Sequence, residues 1–175
     1  AEEQRIAKEA FRLKRALDVC RANVMMADEN NDIIYTNETV LDMLGTAESD
    51  IRKDLPSFRA NTVSGSNIDI FHKNPAHQRG MLESLTSSYD TSIEVGGRTF
   101  ALIATPVFDD KDKRLGTVVE WNDRTEELVR LAEEQRISND NARVKQALDN
   151  LTANTMIADG DNNIVYMNLA VTDML

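Results

Sequence analysis

The sequence predicts an α+β domain: a five-stranded antiparallel sheet with short helices on one face, flanked by N- and C-terminal signalling helices. Three observations carry that expectation. Segments of period-two alternation come first as a pair and then as a trio, with short helical patterns between them. Heptad-spaced apolar residues precede and follow this block. An internal repeat marks its limits: AEEQRI occurs at 1–6 and again at 132–137, and KRALDVCRANVMMADENNDIIYTNETVLDML (14–44) returns as KQALDNLTANTMIADGDNNIVYMNLAVTDML (145–175), at one constant offset. The expected division is an N-terminal helix over 1–20, a domain over 21–123, a linker helix over 124–152 and the truncated start of a second copy over 153–175. The natural protein is therefore expected to carry tandem copies of one module.

The elements follow in order. Ile6, Ala10, Leu13, Leu17 and Cys20 alternate in steps of four and three, the seam of a bundle or coiled-coil helix. Asn23–Ala27 and Asp32–Thr36 are short apolar strands joined by Asp28-Glu29-Asn30-Asn31, whose side chains suit a tight turn. Asn37 is placed to cap a short helix through Leu44 that Gly45 would end, with further short helical pieces after Glu48. Residues 61–67 read as loop. Asn74-Pro75 opens a helix on which Met81, Leu82 and Leu85 face inward. Three strands come next, Thr91–Val95, Thr99–Phe108 and Leu115–Asn122, linked by Gly96-Gly97 and by Asp109–Lys113. Asp123 and Glu126 are spaced as a capping box, and the helix they open repeats the heptad positions at Ile137, Asn141, Val144, Leu148 and Leu151. Asn141 at a core position suits a two-stranded parallel pairing, so a homodimer through the flanking helices is expected; a solvated linker helix is the alternative. An isolated hairpin is marginal in water, so 154–168 is expected to lack order unless another chain pairs with it.

Composition narrows the function. Net charge of −10 and the lack of a Lys/Arg cluster argue against nucleic acid and anionic membranes. The single cysteine, Cys20, allows no internal disulfide, no thiolate zinc site and no covalent haem attachment, and a cytoplasmic setting is expected. Nothing in the motif inventory points to an enzyme: G-x-S-x-G, H-E-x-x-H and G-x-x-x-x-G-K are all missing.

Both histidines fall in IDIFHKNPAHQR, residues 68–79. Ile70 and Phe71 place His72 beside apolar neighbours, and a neutral imidazole is a ligand for haem iron. With so few histidines, an iron held on one side and open to gas on the other would result. His77 falls in the first turn of the expected helix and is second choice as a metal ligand. Trp121 shares the face of Val119, the inward one, and its indole N–H only donates, which suits a partly negative dioxygen. A Trp on a strand is as readily a packing residue. Leu102 lies with Phe100 and Ala104 on one face of the neighbouring strand.

ADENNDIIYTNETVLDML near the start and GTVVEWNDRTEE at the end, with Asp123 and Thr125 forming D-x-T, resemble the PAS family over about residues 20–125. FHKNPAHQR together with Trp121 further resembles the haem-binding PAS domains of soluble aerotaxis-type, methyl-accepting chemotaxis receptors. That resemblance implies haem b held by His72, O2 (alternatively CO or NO) contacted by Trp121 and Leu102, and a cofactor cavity completed by Ile70, Phe71, Met81, Leu82, Leu85 and Val119. It also implies a relay through the C-terminal helix to a signalling domain and chemotaxis kinase complex beyond these residues. The light-sensing flavin subclass needs a reactive Cys on a central helix, and Cys20 lies ahead of the domain. A non-covalent FAD, or no cofactor in a dimerisation and signal-relay module, are the alternatives.

Overall fold

In the computed structural model, residues 2–72 and 74–173 are described, and of His77 the backbone alone. Two compact units are present, Ala1–Thr125 and Glu126–Leu175. The first contains helix α1 (Glu2–Asp18), strands β1 (Asn23–Asp28) and β2 (Ile33–Thr36), helix α2 (Glu38–Asp54), 3₁₀ turns at Ala60–Thr62 and Ile68–Phe71, helix α3 (Pro75–Ser84) and strands β3 (Tyr89–Val95), β4 (Arg98–Phe108) and β5 (Arg114–Asp123). The strands form one antiparallel sheet in the order β2-β1-β5-β4-β3.

Alternation on these strands turns one face inward. Across β3, β4, β5 and β1, Thr91, Leu102, Trp121 and Asn23 form one row; Tyr89, Ala104, Val119 and Met25 form the next; Pro106, Thr117 and Ala27 follow. Met25, Ala27, Phe100, Ala104 and Trp121 from this face are buried against Val40, Leu44, Ala47 and Ile51 of α2. Positions 40, 44, 47 and 51 recur at helical spacing, which is why one side of α2 can cover β1, β3 and β4.

That continuous stripe also corrects an expectation. Gly45 does not end the helix; α2 runs on for two more turns, and Ala47 and Ile51 hold it to the sheet. Loss of propensity at one glycine, about 1 kcal/mol, is smaller than the burial of Ile51 that continuation secures. The helix stops at Asp54, just ahead of Leu55-Pro56, where the proline disfavours a helical preceding residue. Gly96, in the β3–β4 turn, is required as glycine: its φ is +62°, and a Cβ there would lie 1.8 Å from the Asp50 carbonyl oxygen of α2.

Asn37 does cap α2, and does more. Its side-chain oxygen accepts from the Val40 and Val24 amides at 3.2 and 3.0 Å, while its NH2 donates to the Leu17 and Ala22 carbonyls at 3.3 and 2.7 Å. All four hydrogen-bonding positions of a fully buried amide are filled. Beside it the Tyr35 hydroxyl donates to Asp18 at 2.8 Å, tying β2 to the last residue of α1.

Asp123 departs from the expected capping box. Its carboxylate accepts from the Thr125 amide (3.0 Å) and hydroxyl (2.5 Å), two residues on, rather than from Glu126 three residues on. The other carboxylate oxygen accepts from Arg98 Nη1 at 2.7 Å, and Arg98 Nε reaches Asp50 of α2 at the same distance. Thr125 Oγ1 accepts from the Thr99 amide, and Thr99 returns its carbonyl to Arg124. The close of β5 is thereby bound to β4 and α2.

The helix α4 (Thr125–Asp149), which Thr125 opens, leads into the second unit. By itself that unit contains the hairpin β6 (Met156–Ala158) and β7 (Ile164–Met167), then the single turn α5 (Leu169–Thr172). Expectation had the hairpin unstructured unless paired with another chain. Within this unit its anchor is Asn168, which accepts from Thr155 and Val171 and donates to the Leu148, Leu151 and Ala153 carbonyls. Tyr166 donates to Asp149 at 2.5 Å. Apart from the added bond to Leu151, these are the contacts of Asn37 and Tyr35 repeated. Met156, Ile157 and Ile164, whose counterparts in the first copy are Met25, Met26 and Ile33, are exposed.

Candidate functional site

A cavity of about 290 Å³ lies between the inward sheet face, the Ile68–Phe71 turn and α3. The turn reaches it because side chains three apart on a 3₁₀ helix eclipse, so Ile68 and Phe71 share one side. Ile70 is off that side and packs on the core without lining the cavity, contrary to expectation. On α3 the helical spacing brings Gln78, Met81 and Leu82 to the wall. Leu85 was expected with them. It lies one residue beyond the helix end in extended backbone, against the core but off the cavity wall.

From the sheet come Leu102, Val119 and Trp121, with Met25, Thr91 and Ala104 around them. The Trp121 ring is packed against Phe71 (centroids 5.0 Å apart) and Phe100 (5.8 Å), and Phe58 extends the cluster beyond Phe71. Trp121 is 7% exposed, and its Nε1 is a buried donor with no hydrogen-bond partner. Leaving such a group unsatisfied costs about 1–3 kcal/mol, so it marks a place where a ligand acceptor would be gained.

His72 also lines the cavity, one residue beyond the turn. Its Nδ1 lies 3.0 Å from the Ile68 carbonyl oxygen, which can only accept, so Nδ1 carries the proton and Nε2 holds the free lone pair. Burial pulls His72 below its ordinary 6.5, against the opposing effects of the Ile68 carbonyl and the nearby Asp69 carboxylate. The imidazole is neutral at neutral pH. Asp69 in turn is gripped by Arg79 of α3 through two hydrogen bonds, one at 3.0 Å from Nε, which holds the turn to the helix. The side chain of His77 lies outside the described residues.

The PAS domain family matches residues 12–75. Methyl-accepting chemotaxis protein McpB of Pseudomonas aeruginosa is 56% identical over 116 residues, which is 66% of this chain and 17% of that protein. A structure of the Aer2 receptor from Vibrio cholerae, described as a dual PAS-heme oxygen sensor, is 37% identical with a TM-score of 0.52, over 58% of this chain and 93% of that one. The chain belongs to the PAS domain family. An RNA-binding light-oxygen-voltage receptor, at 15% identity and TM-score 0.51 over 73% of this chain and 36% of that one, shares the PAS fold alone. Since the chain spans 17% of the length of the chemotaxis protein it matches, the output of the whole receptor belongs with the proposals below.

Among the residues expected from sequence, the PAS cavity brings together Phe71, His72, Met81, Leu82, Leu102, Val119 and Trp121. Among the polar residues that it adds, and that the sequence did not single out as lining, are Asn31, Gln78, Tyr89 and Thr117. Asn31 and Thr117 come from the hairpin turn and from mid-strand, and only the sheet register places them at one cavity end. Tyr89, one of these lining residues, is itself exposed. Among the described residues no three His, Cys, Asp or Glu side chains converge on a metal position, and no helix is long and apolar enough to cross a membrane.

Proposed function

We propose that this PAS domain is a gas-sensing module that holds haem b through Nε2 of His72 and reads O2, or another diatomic gas, with Trp121. The observation that carries the reading is the pairing, in one apolar cavity, of a neutral imidazole whose Nδ1 is already committed and a buried indole N–H that has no partner. A single protein donor suits haem, since the macrocycle itself would supply four nitrogen ligands to the iron. When bound, haem b provides an iron with one open position for a diatomic molecule.

The chain's own residues do the rest. The Ile68 carbonyl fixes the ring and tautomer of His72, as outer-shell acceptors do for metal-binding histidines. Phe71, Met81, Leu82 and Val119 exclude water, and Leu102 and Trp121 present one wall and one donor to the gas. A new hydrogen bond at Trp121 Nε1 stabilises one position of β5, and β5 ends two residues later at Asp123, the acceptor of Thr125 and Arg98. Differential stabilisation of that junction would bias α4. Exposed Ile137 and Val144 on α4 suit pairing with a second copy, and the homology to McpB suits an output through a chemotaxis kinase; no catalysis is assigned to the domain.

The test is an absorbance spectrum after haem reconstitution. A Soret band that His72→Ala abolishes and His77→Ala leaves intact is expected. Absence of any band in the wild-type protein overturns the reading.

A further inference from the structure

The cavity end away from Trp121 is polar. Along β1, Asn23 stands across from Trp121 and Ala27 across from Thr117, so about 13 Å separates the two ends. Thr117 and Asn31 line the far end. Asn31 is only 8% exposed, is held at φ +65° by its turn, and its side-chain amide has no hydrogen bond among the described residues. Thr117 accepts from Arg114 Nη2 at 2.7 Å, and Arg114 Nη1 donates to the Leu85 carbonyl at 3.1 Å, just past α3. Those bonds use two of the five N–H groups of the guanidinium. Arg114 is half-buried, and among the described residues no carboxylate lies within ion-pair distance of it. A half-buried cation bonded to the lining residue Thr117, and an unpartnered amide on the cavity wall, leave a site that an anion would complete.

We infer that Arg114 and Asn31 form a carboxylate-binding subsite, so that the ligand of this cavity is a flat apolar acid whose carboxylate anchors at this end. The inference deepens the haem reading and rests on it for the identity of the acid: the propionate groups of haem b are the carboxylates concerned. Arg114 stays in place through Thr117 and Leu85 and still has donors free for the ligand, while Asn31 supplies a further N–H.

The experiment uses the whole chain and needs no iron. Trp121 is the only tryptophan and forms part of the cavity wall, so quenching of its emission reports occupancy. Metal-free protoporphyrin IX is titrated against its dimethyl ester. The free acid should bind at least about tenfold more tightly, as expected for a charge-assisted hydrogen bond. Arg114→Gln should erase the difference by weakening the acid alone, and Arg114→Lys should retain it. Equal affinity of acid and ester in the wild-type protein, or an unchanged preference in the Arg114→Gln, Asn31→Ala double variant, overturns the subsite. Should Arg114→Gln fail to fold by circular dichroism, the wild-type and Arg114→Lys comparisons decide. An intact His72-dependent Soret band without acid preference sinks the subsite alone. Acid preference without any His72-dependent band sinks the iron reading alone, and failure of every porphyrin to bind sinks both.

Discussion

Leu102 stands directly across from Trp121 in the β4–β5 ladder, so an aliphatic side chain flanks the one unpartnered indole N–H of the cavity. Trp121 Nε1 offers a ligand a hydrogen bond there, beside the apolar contact of Leu102. Trp121→Leu in the reconstituted protein should leave haem uptake intact and speed O2 dissociation by at least about tenfold, the value of one hydrogen bond to a charged acceptor. Stopped-flow displacement of O2 measures it, and CO dissociation serves as the control. In the ligand-free protein, Trp121→Phe should change stability by no more than about 1 kcal/mol, because the buried donor it removes is already unsatisfied.

Acid should act through His72. Its folded-state pKa is depressed below 6.5 by burial, so the unfolded chain binds the proton more readily than the folded one. The stability it contributes is present above pH 6.5 and is lost as pH falls through the depressed value. The same proton occupies the lone pair that iron requires. Haem affinity should therefore be flat above pH 6.5 and decline below the depressed value, and the apo protein's denaturant midpoint should lose part of its acid sensitivity in His72→Ala. An affinity that stays flat on acidification until the protein itself unfolds would contradict the assignment of the donor.

The junction at Asp123 should be separable from the cavity. Burial opposes its charge, yet the Thr125 hydroxyl and amide and the Arg98 guanidinium hold its carboxyl below the ordinary 3.8. Asp123→Asn should preserve the absorbance spectrum of the loaded domain while accelerating hydrogen exchange in the first turn of α4. The expected cost in global stability is about 1 kcal/mol after allowance for solvent screening. An unchanged exchange rate at 125–130 would show that the contact with Arg98 and Thr125 does not fix the start of the helix.

Asn37→Ala should be the most damaging surface-independent substitution. It removes the acceptor of the Val24 and Val40 amides and one donor each from the Leu17 and Ala22 carbonyls, which keep the Cys20 amide and the Thr39 hydroxyl, and it empties a fully buried position, costing about 3 kcal/mol or more. Urea unfolding gives the value. Tyr35, whose hydroxyl is pushed up to about 12 by burial and by its bond to Asp18, should tolerate Phe at about 1 kcal/mol.

Period-two alternation was enough to put Trp121, Val119 and Leu102 on the inward face, because the side-chain direction of a strand is a local property. Helix α3 and its Asn74-Pro75 start were legible for a like reason. The extent of α2 was not: Gly45 is a local stop signal, overridden by Ala47 and Ile51 packing on strands that come much later in the chain. Asn31 reads locally as a turn residue, and its positive φ shows that it is one; that its side chain also lines a cavity follows from the turn's bridge between Asp32 and Asn67 and from the β1–β5 register. Arg114 was hidden similarly, since its neighbours Leu85 and Thr117 meet only after β5 has paired with β4.

The clasp made by Asn37, Tyr35 and Asp18 returns residue for residue as Asn168, Tyr166 and Asp149. Each copy thus carries its own socket for the helix that enters it, while Asp123-Arg124-Thr125 starts the helix that leaves. A gene segment cut between equivalent points of two such helices would encode a complete plug-and-socket unit. In-frame duplication or deletion of it would leave every junction chemically unchanged.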